Sequence, residues 1–543
     1  MRKQPPEIQV VYGIILVFFV VLLAAPLLVL LLQSFQTSQG YAIANYSAVL
    51  RDKTILMAVR NSVTISALVA LISTGLAFVL AYTVAFTKAG SRVKALIRFG
   101  IVIPMLLPTI TYGFAIIYSF GKQGLLTKLL GVELFQIYGF QGLLIGYVIY
   151  TLPFAFLLLH NSFAYIDKKF LIVSELMGDG FCRSFMNAVF RPLIGTIGAA
   201  FAVSFILSFT DFGIPASVGG TYTVIATELY QVMLGAIPDF NSGSVIAILM
   251  LLPAAVGVVF LNYLERFNFY YDTISATELP ENKLRDTIFS GISLIVVAGM
   301  ISIFLVMFIA PFVKNYPYDM SFSAQFITNA LFNRSILGVY ENSLVVAFAS
   351  ATLGTLIAYS SALINVRTTM NRKAKVSLDV LSMITNTVPG MVLGLSYLML
   401  FNGSDFKGTF LILIFCNIVH FFTTPYLMAK NSLTKLNPAW ETTGELMGDT
   451  WFKTIHRVII PNSAATVVEM FAYFFINSMV TISAIIFLVT ARTAVVTSKI
   501  KALQHFASFN EIFVLSILIL ATNMLVKIGC DQTNKKLSSL SGR

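Results

Sequence analysis

Asp211, Glu469 and Asn477 lie within or at the end of long apolar stretches, as do His160, Asn161 and His420. A polar group in such a stretch is costly in hydrocarbon, so it faces a bundle interior or a wet cavity. There it can hold or pass a solute, or it can tie two helices together at ~0.6 kcal/mol per hydrogen bond. Asp211 sits in Phe209-Thr-Asp-Phe-Gly-Ile-Pro215, which continues as Ala216-Ser-Val-Gly-Gly220. A carboxylate with a proline and three glycines predicts a helix broken at an external mouth. Asp211, Glu469 and Asn477 are therefore candidates for a translocation lining, and two acids would suit a cation. His160 and His420 lie near the ends of their stretches and read as packing residues.

A second feature is a repeat. Glu175-Leu176-Met177-Gly178-Asp179 recurs letter for letter as Glu445-Leu446-Met447-Gly448-Asp449, 270 residues later in a chain of 543. Each copy sits in a polar segment, 168–191 or 431–460, between apolar stretches. Each has helix-compatible sequence, a Gly-Asp pair, more helical sequence, and a proline (Pro192, Pro461) that suits the first turn of a following helix. A repeated polar element predicts two matching contact points for something outside the bilayer.

The elements carrying these residues belong in a membrane. Only 11% of the chain is charged, 57% is hydrophobic, and mean hydropathy is +0.85, whereas soluble domains carry about 25% charged residues. Stretches long enough to cross ~30 Å of hydrocarbon centre on 10–33, 61–86, 99–120, 142–165, 192–214 and 243–264, then on 287–313, 342–366, 380–401, 409–429, 461–490 and 511–530. With the N-terminus inside, 25 of the 36 Lys and Arg fall on the inner side, as the positive-inside rule requires. The first stretch, 24 residues long, is too long for a signal h-region and reads as a retained span. The net charge of +12 is thus a matter of topology, and no basic patch interleaved with aromatics points to nucleic acid. Cys182, Cys416 and Cys530 have no CxxC neighbour, so neither a disulfide framework nor a metal site is expected.

Six spans per half is an even number, so both halves enter from one side and the repeat is parallel. Asn61-Ser62 echoes Asn342-Ser343, Pro108 echoes Pro389 inside the third span of each half, and Pro153 echoes Pro425 inside the fourth. The expected fold is an all-α integral membrane protein of about 12 transmembrane helices in two six-helix repeats. Residues 1–264 would form one domain, 265–286 a cytoplasmic linker, and 287–543 the second domain.

The polar segments resemble the EAA loop of permease subunits of binding-protein-dependent ABC importers. Its consensus runs Glu-Ala-Ala, three residues, Gly, nine residues, Ile-x-Leu-Pro. Gly448, Val458, Ile460 and Pro461 fall at that spacing, while Glu441 is one residue out of register, with Thr442 in its place. In the first half Gly178 matches, Ile172-Val173-Ser174 replaces Glu-Ala-Ala, and Pro192 comes one residue late. The resemblance covers essentially the whole chain as two tandem permease domains. It implies coupling helices, built on Glu175 to Asp179 and on Glu441 with Glu445 to Asp449, that dock on two copies of a cytoplasmic ATP-binding subunit. It also implies an extracytoplasmic solute-binding protein and a bacterial inner-membrane location, where the charge census and twelve spans would leave both termini cytoplasmic.

The chain has no G-x-x-x-x-G-K-[ST] phosphate loop. ATP and magnesium would therefore be used by a partner, and no cofactor is expected on this chain, which would be a permease and not an enzyme. The fused layout and the 210–220 stretch look like permeases for ferric iron, with 2-aminoethylphosphonate a close second. An ion-gradient-driven secondary transporter and a non-transporting membrane scaffold are the alternatives. The first gives no reason for paired polar loops after the fourth span, and the second would co-purify with partners but move nothing in vesicles.

Overall fold

The computed structural model describes residues 6–38, 40–267 and 282–541; most of the expected linker, residues 268–281, lies outside them. The described residues are helical almost throughout. Their strands form two antiparallel hairpins, Gln36–Thr37 with Gly40–Tyr41 and Val313–Asn315 with Asp319–Phe322. Among the described residues, eight helices are long and apolar enough to cross a membrane, and four bent helix pairs raise the number of candidate spans to twelve.

At the centre of each half runs a helix of 34 residues, Lys53–Phe86 and Arg334–Arg367. Each starts on a side-chain cap. Asp52 Oδ1 accepts the Thr54 N–H at 2.7 Å, and Asn333 Oδ1 accepts the Ser335 N–H at 2.9 Å, satisfying amides that have no partner inside the helix. Small residues then recur every three or four positions on the buried side: Ser62, Ser66, Ala70, Ser73, Ala77 and Ala81 in the first. The second buries Ser343, Ala347, Ala351, Gly354, Ala358 and Ala362, each 281 residues later. Such a stripe lets neighbouring helices approach closely, which is how helices associate where lipid competes equally for apolar surface. Ser73 meets Thr151 at 2.7 Å, and any side chain at Gly354 would meet the Phe474 ring at about 3 Å.

The later elements keep the same order. Helices starting at Ser91 and Thr109 have counterparts at Arg372 and Gly390, an offset of 281. From Phe140 and Phe410 onward the offset falls to 270. The first half thus has 11 more residues between these points, in a connection that includes the short helix Leu125–Leu130.

The third spans, which hold Pro108 and Pro389, are not straight. Leu107 and Val388 are extended, and the flanking helices meet at 110° and 107°. Proline disfavours helical backbone at the residue before it, which makes the corner. The second half has two further breaks, a 54° bend after His420 and a 78° bend after Asn462; its counterparts Phe140–Phe163 and Cys182–Thr210 pass as single spans.

The chain packs into two compact units. Unit I is Ser47–Asp239 with Leu252–Phe326, and unit II is Met1–Tyr46 with Phe240–Leu251 and Ile327–Arg543. The sequence divides at the linker, but the packing assigns the opening helix of each half to the core built from the other half. Within unit I, Thr83 bonds Ser293 at 2.7 Å and Ser119 donates to the Ile303 carbonyl at 3.2 Å. Within unit II, Tyr397 donates to the Leu22 carbonyl at 2.6 Å and Tyr12 meets Ser377 at 3.1 Å.

Candidate coupling segments

The repeated pentapeptide ends a helix. Helices Lys169–Leu176 and Ala439–Leu446 stop at Gly178 (φ +81°) and Gly448 (φ +77°), both left-handed. The next amides turn back. Asp179 N–H donates to the Ser174 carbonyl at 3.1 Å, and Asp449 N–H to the Gly444 carbonyl at 2.9 Å. This six-to-one bond occupies carbonyls that a helix end otherwise leaves open. A side chain at either glycine would meet nothing within 4 Å. The requirement is therefore for the backbone conformation, which costs any other L-residue roughly 1–2 kcal/mol.

The cap turns the same two residues outward in both segments. Leu176 and Met177 are 82% and 79% exposed, and Leu446 and Met447 are 82% and 76% exposed. The acids beside them are less free. Asp179 receives the Ser174 hydroxyl at 2.7 Å and pairs with Arg183 at 3.2 Å, and Asp449 pairs with Lys453. The side chain of Glu175 lies outside the described residues.

Short helices Phe181–Phe185 and Trp451–Thr454 then widen into the π-turns Met186–Phe190 and Ile455–Ile459. Each π-turn ends two residues before a proline, Pro192 or Pro461, as does a third, Val20–Ala24, before Pro26. A proline offers no amide, and its ring pushes away the carbonyl one turn back, so widening the turn removes the clash.

Sequence reasoning missed what holds the second segment. Glu441, expected to serve coupling, spends its carboxylate inside the fold. Arg367 grips it with Nε on Oε1 at 2.5 Å and Nη2 on Oε2 at 2.6 Å, and also donates to the Leu436 and Asn437 carbonyls at 2.9 Å each. At the matching first-half positions stand Phe86 and Leu171. Phe86 is buried against Phe163, with ring centroids 5.3 Å apart. Beside the second segment lies a cavity of about 550 Å³ whose lining includes Glu7, Arg367, Glu441, Glu445, Asp449 and Trp451.

Of the candidate lining residues, Asp211 belongs to unit I, and Glu469 and Asn477 belong to unit II. The break expected after Asp211 is present: helix Arg191–Thr210 stops, and Gly213–Val218 restarts. The buried Asp211 carboxylate accepts the Ile214 N–H at 2.9 Å, and Gly213 N–H and the Thr109 hydroxyl also bond it, so it caps the restart. In unit II, Glu469 is exposed, with Asn534 Nδ2 at 3.4 Å, while Asn477 donates to the Tyr473 carbonyl of its own helix at 2.8 Å. The structure does not bring Glu469 and Asn477 together; they serve different partners eight positions apart. His160 stacks on Phe156 at 5.3 Å.

Asn61-Ser62 and Asn342-Ser343 prove to be more than echoes. Asn61 Nδ2 donates to the Thr223 carbonyl at 3.0 Å, and Ser62 Oγ accepts the Ile225 N–H at 2.8 Å. Asn342 Nδ2 donates to the Ala494 carbonyl at 3.0 Å, and Ser343 Oγ accepts the Val496 N–H at 2.7 Å. In each unit the pair holds the start of a short helix, Ile225–Leu234 or Val496–His505, downstream of the fifth helix of that half.

Two stretches of the chain, residues 73–269 and 351–531, match the binding-protein-dependent transport system inner membrane component family. Each match contains one capped segment with its outward Leu-Met pair. The chain belongs to this family. It is thus a membrane-spanning permease of ABC import systems, carrying two family regions in one polypeptide. The permease is 28% identical over 505 residues to a ferric transport system permease of Haemophilus influenzae, covering 89% of this chain and 78% of that protein. It is 26% identical over 507 residues to a ferric transport system permease of Actinobacillus pleuropneumoniae, covering 90% of this chain and 72% of that one. A spermidine/putrescine transport system permease of Escherichia coli is 23% identical over 233 residues, 41% of this chain and 83% of the relative.

Proposed function

We propose that this permease forms the membrane core of an importer for ferric iron, driven by ATP hydrolysis on two copies of a separate cytoplasmic subunit. The observation that carries the coupling reading is the pair of capped segments. Two backbone motifs of one shape present Leu176-Met177 and Leu446-Met447 to solvent. Exposed apolar pairs rimmed by charge are what a protein partner buries. A rigid capped helix can pass a partner's motion to the spans behind it, and the acid-lined cavity beside the second segment offers that partner further purchase. A solute-binding protein would deliver cargo from the other face. Asp211 would act there by shaping the mouth, and Glu469 and Asn477 remain candidates for lining the path. Support for ferric iron is the likeness to two ferric permeases over nine-tenths of the chain.

The test is Gly448→Pro in vesicles that hold the permease, its ATPase and its capture protein. Proline cannot adopt φ +77°, so ATP hydrolysis should separate from uptake while the spans stay folded. Transport at the unaltered rate would remove the coupling assignment. In the same vesicles, labelled ferric iron should enter only with capture protein and ATP, and 2-aminoethylphosphonate should not compete. Competition by the phosphonate would exchange the cargo.

A further inference from the structure

We infer that Asn61-Ser62 and Asn342-Ser343 are releasable latches that hold helices Ile225–Leu234 and Val496–His505 in place and let go during each transport cycle. The inference rests on the importer reading above. It starts from a local deficit. The residues at the N-caps of these helices are Val224 and Val495, whose side chains carry no oxygen to receive an amide. Half of a reciprocal cap is present locally. Thr227 Oγ1 accepts the Val224 N–H at 3.2 Å, and Ser498 Oγ accepts the Val495 N–H at 3.1 Å. The other half comes from another helix, from Ser62 at a separation of 163 residues and from Ser343 at 153. Helices of ten residues do not persist alone in water, so docking and helix formation go together, and the latch bonds act beside the buried Ile225, Leu229 and Met233 of one helix and Val496, Ile500 and Leu503 of the other.

The bonds suit a contact that must open. A polar latch exchanges protein partners for water at a net cost of only about 1 kcal/mol per bond. In unit I the docked state also carries a standing penalty. Glu228 is 8% exposed, its Oε2 has no hydrogen-bond partner, and burial, then the nearby Asp52 carboxylate, pushes its pKa up. Undocking would return that carboxylate to water. The same two latch bonds recur in unit II, although the helices they hold, IATELYQVML and VTSKIKALQH, share almost no sequence. The bonding is what the two halves have in common.

Amide hydrogen exchange on the full permease with its partners in lipid nanodiscs tests this. At rest, Ser62→Ala should speed exchange in residues 225–234 by about fivefold to tenfold, the loss of one such bond, and Ser62→Thr, which keeps the hydroxyl, should restore protection. During turnover of the unaltered protein, exchange should rise in 225–234 and 496–505 and stay slow in the central helices. A fixed structural role would leave turnover exchange unchanged, and protection that persists through turnover at either helix overturns the inference for that latch. If no ATP-driven uptake occurs at all, the importer reading fails, and the resting-state series with Ser62→Ala still decides whether Ser62 caps helix 225–234.

Discussion

The two candidate coupling segments present one shape on two different moorings. Both end a helix with a left-handed glycine, bond the following aspartate amide five residues back, and expose Leu-Met. Behind that shape the second segment hangs on a buried ion pair, Arg367 to Glu441. The first has Phe86 and Leu171 at those positions, with Ser174, Asp179 and Ser184 linked by hydroxyls instead. The outward surface is constant, and the wiring that supports it has diverged. A duplicated segment is therefore constrained at its outward face, while its inner supports need only deliver the same backbone.

The largest effect should come from cutting one mooring. Arg367→Ala strands the Glu441 carboxylate, mostly buried, at a cost on the order of 3 kcal/mol. Both tryptophans of the chain, Trp440 and Trp451, lie in the second segment. Their emission should shift to the red, and proteolysis there should quicken. Copying the first mooring into the second, Arg367→Phe with Glu441→Leu, should recover most of the loss, because a well-packed apolar pair can replace a buried ion pair. A double variant no better than the single one would show that the two moorings are not interchangeable.

Next in size, Leu446→Ala with Met447→Ala should weaken ATPase binding by tenfold or more, about 1–2 kcal/mol, with the melting temperature unchanged. Leu176→Ala with Met177→Ala should match it in a binding titration. A loss confined to one segment would mean that a single socket carries the contact. The smallest effect belongs to the ion pairs beside the caps. Asp179→Asn and Asp449→Asn should each shift stability by less than about 1 kcal/mol. Asp179→Asn should cost slightly more, since Asp179 also receives Ser174.

The legible parts of this molecule are those whose cause is local. Span positions follow from apolar runs, and the cap at Gly178 and Gly448 follows from helical sequence meeting Gly-Asp. The break after Asp211 follows from its proline and glycines. Arg367 could not be read, because its partner lies 74 residues away and an arginine at a span end is ordinary. Asn61 and Asn342 were visible as echoes, but their partners are carbonyls 162 and 152 residues on, and carbonyls leave no mark in sequence. The exposure of Leu-Met was hidden for a related reason: in so apolar a chain, two more apolar residues carry no signal until the cap shows which way they point.

Helix 6–35 belongs to the core assembled from the second half, and helix 283–312 to the core assembled from the first. A gene split within 265–286 would give two products, each lacking a wall that the other carries. They could complete one another only by encounter, at whatever abundance the cell maintains. On a single polypeptide the same encounter is intramolecular, at an effective concentration in the millimolar range for a short tether. Joining the halves thus fixes their ratio at one to one and leaves neither product waiting, incomplete, in the lipid.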